Sequence, residues 1–180
     1  MVSSLGKRIK GKTILEDISF EINQGDCVAL IGPNGAGKTV LMSCILGDKK
    51  PSSGQVLIDG KAGKAKNKIA VLLQENTIPN SLKVEELIAF FQSISDNPLT
   101  NQEVQELLQF KEDQYQQFAD KLSGGQRRLL AFVLCLIDKP KILFLDEPTA
   151  GMDTSTRQRF WEIVNDLKNQ CEPFSIPLIY

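Results

Sequence analysis

The segment Gly32-Pro33-Asn34-Gly35-Ala36-Gly37-Lys38-Thr39 fits the spacing G-x-x-x-x-G-K-[ST] at every fixed position. Its chemistry is anion capture. Glycines let consecutive backbone N–H groups turn inward on an anion, where a Cβ would obstruct the approach. Lys38 is spaced to reach the β- and γ-phosphates of a nucleoside triphosphate, and the Thr39 hydroxyl to hold Mg²⁺. The apolar run Cys27-Val28-Ala29-Leu30-Ile31 before the loop reads as a buried strand, and Lys38 to Leu46 after it reads as a helix. That helix start contributes unpaired N–H donors and the positive end of its dipole.

Two further clusters carry chemistry. Asp146 and Glu147 are adjacent carboxylates closing the apolar run Ile142-Leu143-Phe144-Leu145, a parallel-sheet strand by its pattern. Leu122-Ser123-Gly124-Gly125-Gln126 opens a strongly apolar helix through Leu129, Leu130, Phe132, Val133, Leu136 and Ile137. Its serine hydroxyl and glycine amides predict a second anion-binding helix start.

These residues need a scaffold, and the rest of the chain predicts one. Thr13 to Ile22 alternates as a strand or hairpin arm closed by Gln24-Gly25-Asp26, and Gln55 to Ile58 is a short strand ended by Asp59-Gly60. Lys61 to Lys68 is a lysine-rich surface connector, and Ile69 to Leu73 a buried strand ending at Gln74. Val84, Leu87, Ile88 and Phe91 give one apolar helical face. Asn97-Pro98 breaks that helix, and Val104, Leu107 and Leu108 begin another. Pro140 ends the apolar helix, and a last helix spans Thr154 to Lys168. The expected class is α/β in a single domain, 1–180.

Composition narrows the partners. Hydrophobic residues make up 42% and charged residues 24%, ordinary for a globular protein, and the net charge of −1 gives no electrostatic case for nucleic acid. No apolar run approaches the roughly 18–20 residues of a membrane span, and the N-terminus lacks a signal-peptide core. Four scattered cysteines and no histidine argue against zinc and for reduced cytoplasmic thiols.

In this order, the motifs resemble the nucleotide-binding domain of ATP-binding cassette (ABC) transporters over about residues 5–170. The resemblance implies a P-loop NTPase core with an N-terminal antiparallel β part and a helical signature-motif subdomain inserted at about 75–139. Carried over by position, Gly32–Thr39 is the Walker A loop, Gln74 the Q-loop glutamine and Leu122–Gln126 the signature. Ile142–Asp146 is then Walker B, Glu147 the catalytic carboxylate, and Ala150-Gly151-Met152-Asp153 the D-loop. Asp146, with Thr39 and Gln74, would hold the Mg²⁺ shell; Glu147 would polarise the attacking water; Gln74 would sense the γ-phosphate. Ser123, Gly124, Gly125, Gln126 and Asp153 would meet ATP across a dimer, so a second cassette, as a homodimer, and a transmembrane permease are the implied partners. The implied place is the inner face of the cell membrane, and the subgroup most resembled is that of bacterial drug, antibiotic-peptide and ABC-2-type exporters.

Two departures bear on activity. Ile9 stands where the family stacks an aromatic residue on adenine, losing a term of about 1 kcal/mol. The family's switch histidine is absent, and Pro173 and Pro177 are poor residues for the central strand expected there. Read from the third base of the Glu172 codon, residues 172–180 can encode two small hydroxyl residues and a histidine. The tail after about Gln170 is therefore expected to be a frameshifted reading, the last strand missing. Two readings follow: a transport ATPase, or a binding-only fragment with little turnover.

Overall fold

The computed structural model describes residues 1–23, 26–33, 35–58, 60–62, 69–73, 78–79, 81–169 and 178–179. Gln74, Asn34, the Gln24-Gly25 turn, the lysine-rich connector after Ala62 and the segment 170–177 lie outside them.

Strands β1 (Val2–Ile9), β2 (Lys12–Phe20), β4 (Ser53–Ile58) and β5 (Lys61–Ala62) form an antiparallel sheet in the order β2-β1-β4-β5. The turn Lys10-Gly11 joins the first two with both residues at positive φ, the conformation a tight hairpin needs. β3 (Cys27–Val28), β6 (Ile69–Leu72), β7 (Ile142–Leu145) and β8 (Leu178–Ile179) form a second sheet, β3-β8-β7-β6, with every pair parallel.

Helix α1 (Lys38–Ile45) lies between the two sheets. Leu41 and Cys44 pack with Val2, Leu5 and Leu15 of the antiparallel sheet, whereas Met42 packs with Phe144 of the parallel one. The period-two alternation of β7 sends Phe144 to this side, and Leu143 and Leu145 to the core on the other face. That opposite core is built by α2 (Val84–Ser93), α3 (Asn101–Leu108), α5 (Gly124–Leu136) and α6 (Thr154–Asn169), with short α4 (Glu112–Gln116) and a 3₁₀ turn at Ala119–Lys121. α5 is buried nearly all round; its Phe132 ring lies 4.4 Å from that of Phe160 on α6.

Two expectations are corrected. The run Cys27–Ile31 is not a five-residue buried strand: among the described residues pairing with β8 covers Cys27 and Val28, and Ile31 is 90% exposed. The central strand, for which the tail reads as unsuited, is present as β8, the pair Leu178–Ile179 between β3 and β7. Pro173 and Pro177 themselves lie outside the described residues.

Candidate functional site

In an all-parallel sheet every strand delivers its C-terminal end to the same edge. β3 therefore delivers the Gly32–Thr39 loop, β7 delivers Asp146 and Glu147, and β6 delivers Leu73, all at one edge. Register tightens the last two: Leu72 pairs with Leu145, and the Asp146 N–H donates to the Leu72 carbonyl at 2.8 Å.

The loop meets the demands of phosphate binding. Gly35 (φ 84°) and Gly37 (φ 92°) hold left-handed conformations that cost other residues about 1–2 kcal/mol each. Gly37 caps α1 without a side-chain bond, and the helix's first turn has no acidic residue, so no carboxylate of its own first turn competes for its N–H donors. A Cβ on Gly37 would lie 2.9 Å from Leu15 Cδ2 and 3.2 Å from the Ile14 carbonyl, so β2 presses directly on the loop. Lys38 Nζ donates to the carbonyls of Gly32 (2.5 Å) and Pro33 (3.0 Å), a cation curled into its own loop against neutral acceptors. Phosphate oxygens are stronger acceptors for that ammonium than carbonyls. Thr39 is exposed in the first turn of α1 and Asp146 half-buried at the end of β7. Among the described residues no cluster of three His, Cys, Asp or Glu could enclose a metal alone. Mg²⁺ suits a Thr-plus-Asp site, since it keeps several waters and takes phosphate oxygens beside one or two protein ligands.

Glu147 is an exposed non-glycine residue at φ 46°. Its carbonyl accepts from the Ala150 N–H at 3.1 Å, closing a turn immediately after the strand. Left-handed backbone at a non-glycine residue costs about 1–3 kcal/mol and persists where surrounding structure over-determines it. The surrounding structure is Arg128 of α5, 8% exposed, a residue the sequence reading passed over. Its Nε donates to the Pro148 carbonyl (3.2 Å) and its Nη2 to those of Asp146 (2.8 Å) and Glu147 (3.3 Å), while Nη1 donates to Leu73. Burial pulls this guanidinium below the usual arginine range, while nearby Cys135, Asp146 and Glu147 oppose that shift. The available signal was an arginine adjoining the apolar run that begins at Leu129.

The signature residues form a capping box: Gln126 N–H donates to Ser123 Oγ (3.2 Å), and Ser123 N–H to Gln126 Oε1 (3.1 Å). Ser123 and Gly124 are exposed and Gly125 is buried. Asp153 acts as the cap of α6: Oδ1 accepts from Ser155 Oγ (2.7 Å) and Thr156 N–H (2.9 Å), and Oδ2 from Thr156 Oγ1 (2.9 Å). These bonds, the Thr156 N–H foremost, hold its carboxyl down at about 2. Ile9 is half-buried at the end of β1, paired with Lys12.

A family model described as "ABC transporter" matches residues 15–150. The spermidine/putrescine import ATP-binding protein PotA of Thermotoga maritima is 32% identical over 99% of this chain and 50% of its own length. Nod factor export ATP-binding protein I of Ralstonia nicotianae is 33% identical over 92% of this chain and 54% of its own. The chain thus spans about half the length of these curated relatives. A solved dimeric ATP-binding cassette in a post-hydrolysis state with ADP and Pi shares the fold at TM-score 0.79 and 20% identity, over 99% of this chain and 85% of that one.

Proposed function

This chain belongs to the ABC transporter family, and from that premise we propose that it binds Mg²⁺-ATP at the shared strand edge and hydrolyses it to drive a membrane permease. The observation that carries the reading is the parallel register that brings the Gly32–Thr39 loop and the Asp146-Glu147 pair to one edge. Lys38 would exchange the Gly32 and Pro33 carbonyls for phosphate oxygens, while Thr39 and Asp146 would hold Mg²⁺, with Gln74 kept as a ligand on sequence grounds. The metal's contribution is to neutralise charge on the phosphate oxygens. Glu147, exposed beside Asp146, would orient and polarise the attacking water.

The exposed Ser123-Gly124 helix start supports a second copy of the cassette as the partner that closes over each nucleotide. The permease would place the assembly on the inner face of the membrane; no helix among the described residues is long and apolar enough to cross it. An importer protein and an exporter protein match at 32% and 33% identity, so the exporter subgroup gains no preference and the reading stops at ATP-driven transport.

The test measures Mg²⁺-ATP affinity, phosphate release and sedimentation for the wild type, Lys38→Ala and Glu147→Gln. Removing the lysine should weaken binding about 10–100-fold, the worth of a charged hydrogen-bond partner. Glu147→Gln should bind normally, release little phosphate and dimerise with ATP. Affinity unchanged in Lys38→Ala would overturn the site. Tight binding with wild-type phosphate release no greater than Glu147→Gln would favour the binding-only reading that the missing histidine suggests.

A further inference from the structure

The Asp146, Glu147 and Pro148 carbonyls all accept from one buried side chain, and so does Leu73, whose strand ends in register beside β7. Three consecutive carbonyls can converge on a single cation only if the backbone curls between them. The curl is visible as the left-handed Glu147 and the 3.1 Å bond from the Ala150 N–H. We propose that Arg128 is a positioning residue for hydrolysis: its guanidinium holds the turn at Glu147, and with it the placement of that carboxylate relative to Asp146 and to the chain leaving β6.

The side-chain type matters. A guanidinium presents five donors in a rigid planar fork, whereas a lysine ammonium has three donors at one point and cannot span carbonyls from two strands. Arg128 also belongs to the helix that opens with Ser123–Gln126, so a tilt of that helix start is carried to the Glu147 turn through one side chain. Among the described residues the phosphate loop is held by other contacts: Lys38 is bonded to Gly32 and Pro33, and α1 packs through Leu41, Met42 and Cys44. Losing Arg128 should therefore damage turnover and spare nucleotide binding.

The role in hydrolysis rests on the ATPase reading above, and the experiment separates the two. Arg128→Met and Arg128→Lys are made in the full chain. Steady-state kcat and KM, Mg²⁺-ATP affinity, thermal unfolding and amide hydrogen exchange are then measured. Arg128→Met should lose about tenfold or more in kcat, as expected when a reacting group is displaced by a fraction of an ångström, with affinity within about twofold of wild type. Arg128→Lys should fold as wild type and recover only part of the loss. Independently of turnover, the Ala150 amide should exchange at least about tenfold faster in Arg128→Met, while the Leu41 amide, bonded to the Gly37 carbonyl, is unchanged. Unaltered Ala150 exchange, or kcat and affinity falling by one common factor, would overturn the proposal. A wild type that fails to bind ATP would defeat the functional reading, and the Ala150 amide would still report whether Arg128 holds the turn.

Discussion

Gly125 in the first turn of α5 and Asp153 at the cap of α6 approach so closely that a Cβ on the glycine would lie 3.2 Å from the aspartate Oδ2. The same Cβ would meet Met152 Cα at 3.3 Å and Thr156 Oγ1 at 3.4 Å, whereas one on Gly124 would find only the Gly151 carbonyl, at 4.0 Å. Two adjacent glycines thus answer to different physics: one is sized by a wall and the other is open.

Gly125→Ala should therefore destabilise the fold while Gly124→Ala does not. Overpacking costs typically about 1–3 kcal/mol, offset by at most about 1 kcal/mol of gained helix propensity. Urea unfolding of both variants checks this. A Gly125→Ala protein as stable as Gly124→Ala would mean that the D-loop yields freely.

Asp153 should give the fold an acid-sensitive cap. Its native pKa of about 2 lies below the ordinary aspartate value of about 3.9. Its contribution is thus fully present above pH 4 and is lost as pH falls from there toward 2. Asp153→Asn keeps a capping side chain and should flatten the melting temperature over that window relative to wild type. Parallel acid melting curves for the two proteins would contradict the assignment.

Gly37→Ala should fail both as a structure and as a phosphate loop. It places a Cβ at φ 92°, within 2.9 Å of Leu15 Cδ2, so strain and overpacking together should cost about 2–4 kcal/mol. Thermal unfolding reads the first effect and Mg²⁺-ATP titration the second. Gly35→Ala, with nothing within 4 Å of its Cβ, should suffer the backbone strain alone.

Cys135 should be a slow thiol. Burial raises its pKa to about 11 despite nearby Arg128, and its Sγ lies 3.6 Å from the Val71 carbonyl. At pH 8 only about one thiol in a thousand is then thiolate, the form that alkylates. Iodoacetamide labelling followed by peptide mapping should mark Cys135 in urea but scarcely in buffer. Rapid native labelling there would contradict the raised pKa of this half-buried thiol.

Much of the site was legible because its motifs are local. The glycines of the phosphate loop, the capped start of α5 at Ser123 and the carboxylates ending β7 are each fixed by a few adjacent residues, and the helical face of Val84, Leu87 and Ile88 is buried as its spacing demands. What escaped depends on distant partners. β1 shows weak alternation through Ser3, Ser4 and Gly6, yet it is a strand because β2 and β4 pair with both of its edges across register shifts. The apolar run after Asp26 reads as a full strand, but its partner supplies two residues. Arg128 belongs to none of the sequence motifs, and its place shows only through the four carbonyls from two strand ends that surround it.

The two-residue strand β8 has a kinetic consequence. The antiparallel sheet closes from pairs within the first 62 residues, but among the described residues β3 joins the parallel sheet through Leu178 and Ile179. Contacts so distant along the chain must overcome the entropy of closing a very large loop before they return any stability, and such closures set the pace of folding. The loop after β3, completed early in synthesis, therefore stays without this sheet anchor until Leu178 and Ile179 have been made. A nucleotide that bound only the anchored loop would drive this last closure by mass action.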